Sequence, residues 1–339
     1  MNRAALTAFL TERKVPSYRM AQALEMFTRG LGESWEDVTS WPKALRDDVA
    51  VAVPWDELTV AQVLVGKEMD AVKFLFRCRD GKEVETVIMR HENGRNTVCV
   101  SCQVGCPMKC AFCATGKMGL IRSLTAEEIF EQVIQASRWL KKEVNGKVSN
   151  VVYMGMGEPM NNYDAVMTSI RMLNDPKGIG IGVRHLSIST CGIVPGILRL
   201  ADEPEQVNLA ISLHSAIPET RSSIMPVNKP YPIEKLMAAV ETYTEKTNRK
   251  VLFEYLLLDG INDTREEAEA LATLLQKNRR LYQVNLIKYH DTHAFKATAS
   301  EDRGQFMQWL IDRGIPVTMR HSFGEDIFAA CGQLAVMNQ

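Results

Sequence analysis

Two features are missing from this chain of 339 residues: a long apolar run and a signal peptide. No stretch of about eighteen residues is continuously apolar, so the sequence predicts no transmembrane helix. Residues 1–16 carry charges within a short apolar run, which does not match a secretory signal. We therefore expect a cytoplasmic protein with no membrane partner.

A strong net charge is also missing. Lysine and arginine together number 40, against 41 aspartates and glutamates, so the formal net charge is -1. Proteins that bind nucleic acid usually carry a marked basic surface. Any contact with RNA must therefore come from local patches. Hydrophobic residues make up 46% of the chain and charged residues 24%, as in an ordinary globular protein.

The eight cysteines are distributed unevenly, because five of them lie within residues 99–113. A secreted disulfide scaffold would be smaller and would spread its cysteines along the chain. The crowding is typical instead of a metal or redox site in the cytosol. Two cysteines, Cys102 and Cys191, have no role that the sequence assigns.

Three of the crowded cysteines, Cys106, Cys110 and Cys113, have a C-x3-C-x2-C spacing. A structural zinc ion usually has four ligands, and the fourth here would be Cys99 or Cys102. An iron–sulfur cluster held by three cysteines leaves one iron free to bind a small molecule. Coordination logic favours the cluster, and a zinc-stabilised RNA-binding protein without catalysis is the alternative of another class.

The hydrophobic pattern divides the chain into three parts. Helices predicted over residues 2–13, 18–30 and 42–52 form a small N-terminal head, assigned to residues 1–55. Residues 56–98 form a β-rich linker with hairpin turns. From residue 99 to residue 339, strands and helices alternate in six βα units, which predicts an α/β fold with a parallel sheet. The predicted strands of this part end near residues 101, 154, 190, 213, 258, 289 and 320.

Polar residues follow three successive predicted strands, where ligands bind in parallel α/β sheets. The run Met154–Pro159 contains Gly157 and Glu158, Ser189 ends the next strand, and residues 212–214 end the one after. A single polar residue at such a position is commonly an ordinary turn residue. Three of them around one cysteine loop favour a shell of ligand contacts.

The cysteine spacing, with Phe112 just before the third cysteine, resembles the signature of radical S-adenosyl-L-methionine (SAM) enzymes. The resemblance implies a 4Fe-4S cluster on the three cysteines, with SAM bound at the open iron. It also implies a partial (βα)6 barrel, here with the helical head and the β-hairpin linker added. The expected cofactor contacts on the strand ends are Gly157, Glu158, Ser189, Ser212, Leu213 and His214.

The motif around Glu85, the position of Cys99 and the ending Ala329–Leu334 are together similar to the RlmN/Cfr family of RNA adenine methyltransferases. By itself, Cys331 in that ending could be a small buried apolar residue. The resemblance covers nearly the whole chain and is strongest over residues 85–334. It implies methylation of an adenine in 23S rRNA and, for the RlmN branch, of the adenine 3′ of the anticodon in tRNAs. Carbon 2 is favoured, and carbon 8, the target of the Cfr branch, is the alternative.

The resemblance also implies how the reaction proceeds, with two SAM molecules used per turnover. One SAM methylates Cys331, and a second is cleaved to a radical that takes hydrogen from the new methyl group. The methylene radical adds to adenine and forms a covalent protein–RNA adduct. Glu85 then accepts a proton, and Cys99 attacks Cys331 to leave a transient Cys99–Cys331 disulfide. The expected partners are the RNA substrates and an electron donor such as flavodoxin with its reductase, acting on a monomer.

One position departs from the family pattern. The family usually has an asparagine soon after the strand that here contains residues 285–287, and His290 occupies that position. A histidine ring nitrogen can also form a hydrogen bond. We therefore include His290 among the expected cofactor contacts.

Overall fold

A ten-stranded sheet runs through the computed structural model, which describes residues 1–335. Residues 336–339 of the predicted third part lie outside the described chain. The strands are ordered β1-β2-β3-β4-β7-β8-β9-β10-β11-β12, and β5 and β6 form a second sheet. The strands are β1 Leu58–Val65, β2 Ala71–Cys78, β3 Glu83–Arg90, β4 Asn96–Cys99, β5 Gln103–Gly105, β6 Leu120–Ser123, β7 Asn150–Tyr153, β8 Leu186–Thr190, β9 Asn208–Ser212, β10 Val251–Leu257, β11 Tyr282–Lys288 and β12 Val317–Met319.

Helices precede the sheet and then alternate with its strands. They are α1 Arg3–Glu12, α2 Tyr18–Glu25, α3 Lys43–Ala52, α4 Ala114–Met118, α5 Ala126–Val144, α6 Tyr163–Asn174, α7 Val194–Ala201, α8 Pro218–Ile224, α9 Ile233–Thr247, α10 Arg265–Leu275 and α11 Ser300–Asp312. The helix predicted over residues 18–30 is α-helical only to Glu25 and continues as a π-helical turn, Met26–Gly30. Within residues 1–335, no helix is both long enough and apolar enough to cross a bilayer.

The second half of the sheet is parallel, as the repeated βα units predict. Each of the neighbouring pairs from β4 through β7 to β12 is parallel. Five of the seven residues from Val251 to Leu257 in β10, an interior strand of the sheet, are apolar and fully or nearly fully buried, as is typical of parallel strands. The α/β class and the partial barrel are therefore confirmed.

The first four strands are antiparallel and continue the same sheet. The pairing brings β3 beside β4, with Val87 opposite Cys99, and β4 pairs in turn with β7. Strand β1 was not predicted, because most of its residues are exposed at the edge and do not alternate cleanly. The domain boundaries after residues 55 and 98 stay predictions, and residues 58–99 are hydrogen-bonded into the ten-stranded sheet.

The helical head packs on helix α5 through aromatic rings and one arginine. Phe27 of the head stacks on Phe130 of α5 with ring centroids 6.5 Å apart, and within the head Trp35 meets Trp55 edge-on at 4.8 Å. Arg138 of α5 donates to both carboxylate oxygens of Asp56, at 2.9 and 3.0 Å, and also to the Gly32 carbonyl. A guanidinium that is nearly buried needs such partners, so this contact holds the head in a defined position.

Candidate active site

A cavity of about 160 Å³ opens at the carboxyl ends of strands β7 to β11. The loop between β5 and α4 closes one side of it, and the C-terminal segment that contains Cys331 closes another. Residues at these strand ends point into common space, since parallel strands end at one edge of a sheet. The predicted site residues in its wall are Cys106, Cys110, Cys113, Gly157, Glu158, Ser189, Ser212, His214 and Cys331.

The cysteine loop is shaped by the small sheet of β5 and β6. The Cys106 amide donates to the Gly119 carbonyl at 2.9 Å, next to Gly105, which has a positive φ of 75°. A Cβ atom at Gly105 would lie 1.9 Å from the Gly119 oxygen, so only glycine fits. A tight turn then joins Cys110 to Cys113, whose amide donates to the Cys110 carbonyl at 3.2 Å. This backbone path places all three predicted cluster ligands in the cavity wall.

The chemistry of these thiols suits a metal cluster. Burial raises the pKa of Cys106 to about 12, and burial with the neighbouring cysteine charges raises the pKa of Cys110 further. Thiolates in such surroundings need a nearby positive charge, which iron supplies. In the described chain, no three histidine, cysteine or acidic side chains are placed to hold one metal ion. In a 4Fe-4S cluster each cysteine ligates a different iron, so the thiols need not converge on one point.

The glycine-rich turn after β7 allows the chain to pass close to the cysteine loop. Gly157 has a φ of 106°, and a Cβ atom there would lie 2.7 Å from the side chain of Gln103. Glu158 follows, and its two carboxylate oxygens accept backbone N–H groups of Met160 at 3.0 Å and Cys191 at 2.9 Å. Burial raises the pKa of Glu158. Glu158 therefore ties the end of β7 to the end of β8 as well as lining the cavity.

The ends of β8 and β9 present polar side chains to the cavity. The hydroxyls of Ser189 and Ser212 lie 3.4 Å apart. His214 accepts a hydrogen bond at Nδ1 from the Leu256 amide at 3.0 Å, so its proton resides on Nε2. Burial and the charge of Arg221 lower the pKa of His214 to about 3, which keeps the ring neutral. Leu213, a predicted cofactor contact, is fully buried and does not line the cavity. The structure therefore does not bring Leu213 together with the other predicted contacts.

The cavity wall contains two charged residues that the sequence analysis did not predict as site residues. Glu254 of β10 lies with one carboxylate oxygen 3.7 Å from Nη1 of Arg320, and its other oxygen accepts from Nδ2 of Asn285 at 2.8 Å. Both Glu254 and Arg320 line the cavity. The signal for Glu254 was available, because it is the only charged residue in the strand Val251–Leu257, and buried charges require partners.

Cys331 lines the cavity from a segment held against helix α4. The Ala114 amide donates to the Gly332 carbonyl at 2.8 Å, and the Thr115 hydroxyl donates to the Leu334 carbonyl. Cys99 in β4 is buried. Burial raises the pKa of Cys99 to about 12, and the charge of nearby Cys331 acts in the same direction. All eight cysteines are free thiols, so no disulfide joins Cys99 to Cys331 in this structure.

Glu85 and His290 are not in the wall of this cavity. Glu85 in β3 forms an ion pair of 3.1 Å with Lys73, and burial raises its pKa while Lys73 opposes this rise. His290 lines a smaller neighbouring cavity that shares Arg320 and Cys331 with the first, and its Nε2 lies 3.1 Å from the Ser322 hydroxyl. The structure therefore does not bring His290 together with the predicted SAM contacts on the other strand ends.

A parallel βα partial barrel, with a three-cysteine loop at the carboxyl ends of its strands, defines a radical SAM enzyme. The sequence model of the Radical SAM superfamily matches residues 100–275. A crystal structure of a radical SAM methyltransferase from Sphaerobacter thermophilus is similar with a TM-score of 0.94 and 45% identity, covering 98% of this chain and 97% of that one.

Two curated relatives share the same name, probable dual-specificity RNA methyltransferase RlmN. The one from Geobacillus kaustophilus is 42% identical over 97% of this chain and 89% of its own length. The one from Dictyoglomus thermophilum is 45% identical over 95% of this chain and 91% of its own length. The chain belongs to the RlmN family of radical SAM methyltransferases, which confirms the resemblance that the sequence motifs indicated.

Proposed function

We propose that this chain methylates carbon 2 of an adenine in 23S rRNA and of the adenine 3′ of the anticodon in tRNAs. The relatives named above are called dual-specificity RNA methyltransferases. The observation that carries the proposal is the position of Cys331, a free thiol in the wall of the cavity that also contains the three cysteines of the loop. A thiol there can carry a methyl group between a bound SAM and a substrate base.

The residues that would hold the cofactors are among those that line the cavity. Cys106, Cys110 and Cys113 would hold a 4Fe-4S cluster, and SAM would lie against Ser189, Ser212 and the turn at Gly157. When bound, the cluster would supply one electron, received from a donor such as flavodoxin, for the cleavage of SAM to a carbon-centred radical. Neutral His214, with its proton on Nε2, can donate one hydrogen bond to a SAM oxygen.

Cys331 acts first as a nucleophile. Its thiolate attacks the SAM methyl group, the C–S bond of the sulfonium breaks, and S-adenosylhomocysteine leaves. Arg320 lines the same cavity as Cys331, so its guanidinium places a positive charge in the space where this reaction would occur. Removal of one hydrogen atom from the new methyl group then gives a methylene radical, which can add to the electron-poor carbon 2 of adenine. The hydrogen atom would go to the 5′-deoxyadenosyl radical from a second SAM, which would leave as 5′-deoxyadenosine.

Release of the product requires Glu85 and Cys99. Glu85 accepts the proton from carbon 2, and the oxidised cluster that the three loop cysteines would hold would take back one electron, which restores a closed-shell adduct. The Cys99 thiolate then attacks the Cys331 sulfur, the bond from that sulfur to the methylene carbon breaks, and the carbon takes the electron pair and a proton. A Cys99–Cys331 disulfide is left, which a cellular thiol must reduce before the next turnover.

The test is mass spectrometry of RNA from a strain that lacks the gene. We expect 2-methyladenosine to be absent from both the 23S rRNA and the tRNA fractions, and to return with the wild-type gene but not with the Cys331→Ala variant. Loss of 8-methyladenosine from rRNA in the deletion strain, with 2-methyladenosine retained, would identify the carbon-8 alternative. Unchanged methylation in the deletion strain would overturn the proposal.

A further inference from the structure

Phe328 has an aromatic ring on the surface, three residues before Cys331. Its side chain is 65% exposed, although the neighbouring residues Ala329 and Ala330 are buried. Exposing a phenylalanine to water is unfavourable, and single exposed apolar residues are common on protein surfaces. Exposure by itself therefore does not assign a role to this ring.

The backbone at Phe328 is held in an unfavourable conformation. Its φ of 51° and ψ of 44° lie in the left-handed region, which side chains with a Cβ atom rarely adopt. Three contacts hold the segment there. The Ala329 amide donates to the Gly324 carbonyl at 2.9 Å, the Lys67 amide donates to the Asp326 carboxylate at 2.9 Å, and Lys73 donates to the Phe328 carbonyl at 3.1 Å. The exposed ring is thus presented by a fixed backbone.

Phe328 is also connected to the groups that act on adenine in the proposed function. The Lys73 ammonium group that binds the Phe328 carbonyl lies 3.1 Å from a carboxylate oxygen of Glu85. Cys331 follows in the same segment and lines the cavity. A target adenine must reach both Glu85 and Cys331, so the RNA around it has to pass close to the ring of Phe328.

We propose that Phe328 is a stacking surface for an unpaired nucleobase next to the target adenine. Proteins read single-stranded RNA by stacking splayed bases on aromatic rings, and such stacking tolerates any base because each has a π face. The target adenine itself has to enter the cavity, whereas the ring of Phe328 lies outside, so a flanking base is the partner. This inference rests on the proposed function, since it requires an RNA substrate at this site.

The experiment measures binding of an RNA stem-loop that contains one target adenine, by fluorescence anisotropy. Phe328→Ala should weaken the affinity roughly tenfold, as expected for one lost stacked base, and Phe328→Tyr should retain it. Ile311 is the matched control, because it is also an exposed apolar residue, at 46%, on the distant helix α11. Ile311→Ala should bind RNA like the wild type. Iron content and melting temperature check that each variant folds.

A second substitution separates binding from folding. Phe328→Gly removes the ring and also relieves the left-handed strain, so its melting temperature should rise while its RNA affinity falls. In the wild type, 2-aminopurine beside the target adenine should be quenched on binding, and this quenching should be lost in Phe328→Ala and Phe328→Gly.

The outcomes distinguish this inference from the proposed function. If wild-type protein methylates the RNA and Phe328→Ala binds it with unchanged affinity, the stacking surface is wrong and the proposed function stands. A wild-type protein that neither binds nor methylates any RNA overturns the proposed function and the inference together. Loss of affinity in Phe328→Tyr as large as in Phe328→Ala would also count against stacking, because the aromatic ring is kept.

Discussion

Lys73 and Glu85 form a largely buried ion pair, with 3.1 Å between the ammonium nitrogen and a carboxylate oxygen. They lie on the neighbouring strands β2 and β3, beside the segment that contains Cys331. Burial raises the pKa of Glu85, and the charge of Lys73 opposes that rise. In the proposed function, where Glu85 is the base, this pair would set the pH range in which Glu85 can accept a proton from the RNA adduct.

Removal of Lys73 should shift the pH dependence of product release. In Lys73→Met the pKa of Glu85 should rise further, because an opposite charge no longer favours the carboxylate. Glu85 must be deprotonated to act as a base, so the acidic limb of the release rate should move to higher pH. Rapid-quench measurement of adduct breakdown, at saturating RNA and several pH values, tests this.

Lys67→Met provides the control for this shift. The Lys67 contact to Asp326 uses its backbone amide, so loss of its side chain leaves that contact in place. Its pH profile should match that of the wild type. An acidic limb that does not move in Lys73→Met would show that Glu85 is not the base whose ionisation limits release.

The parallel barrel was predictable from the sequence because each of its features is local. Buried strands are continuous apolar runs, and helix α5 begins at Thr125, whose hydroxyl accepts from the Glu128 amide at 3.1 Å in a capping box. The cysteine spacing and the polar strand ends are likewise short motifs. Parallel topology then places those motifs at one edge of the sheet.

Features that depend on distant partners could not be predicted. The pairing of Glu254 with Arg320 depends on how β10 and the residue after β12 meet, and neither residue belongs to a recognisable motif. The role of Glu158 in tying β7 to β8 depends on the Cys191 amide. His290 was predicted to contact the cofactor because of its place in the sequence after the strand that contains residues 285–287. In the structure His290 lines the smaller cavity instead.

Iron binding should depend on the three cysteines of the loop, and it should not depend on a cysteine that is buried elsewhere in the protein. Cys110→Ala removes one thiolate ligand, so iron and sulfide content after anaerobic purification should fall to near zero. Cys78 is a suitable control, since it is buried in β2 and absent from the cavity wall. Cys78→Ala should keep its iron and its brown colour. Zinc, rather than iron, in the wild-type protein would contradict the cluster.

SAM affinity should depend on the hydroxyl groups at the strand ends. Ser212→Ala removes one hydrogen bond of about 1 kcal/mol, so calorimetry should show SAM binding several-fold weaker with iron content unchanged. Ser223→Ala, which alters an exposed hydroxyl on α8, is the control and should bind SAM like the wild type. Equal affinities in all three proteins would place SAM elsewhere.

Glu158→Ala should affect stability as well as SAM binding. The substitution leaves the buried amides of Met160 and Cys191 without their acceptor, at a cost of about 1–3 kcal/mol for each unsatisfied group. Its melting temperature should therefore fall by several degrees, whereas that of Ser212→Ala should not. Thermal unfolding monitored by circular dichroism separates the two effects. A normal melting temperature for Glu158→Ala would mean that water replaces the carboxylate.

The two distant cysteines should fail at different stages when they are replaced. Without Cys331 there is no methyl carrier, so Cys331→Ala should give neither product nor adduct. Without Cys99 the carrier still forms and still adds to RNA, but nothing attacks the Cys331 sulfur. Cys99→Ala should therefore accumulate a covalent protein–RNA species, visible on denaturing gels as a band that RNase treatment shifts.

The pKa of Cys99 adds a second test of its role. Burial raises that pKa to about 12, so only a small fraction of the resting enzyme carries the thiolate at neutral pH. If attack by Cys99 limits release, the release rate in the wild type should still be increasing with pH above neutrality, because the thiolate fraction increases. Arg320 opposes the rise in the pKa of Cys99, so Arg320→Met should slow release at neutral pH. An RNase-sensitive band in Cys331→Ala, or none in Cys99→Ala, would show that the two roles are assigned wrongly.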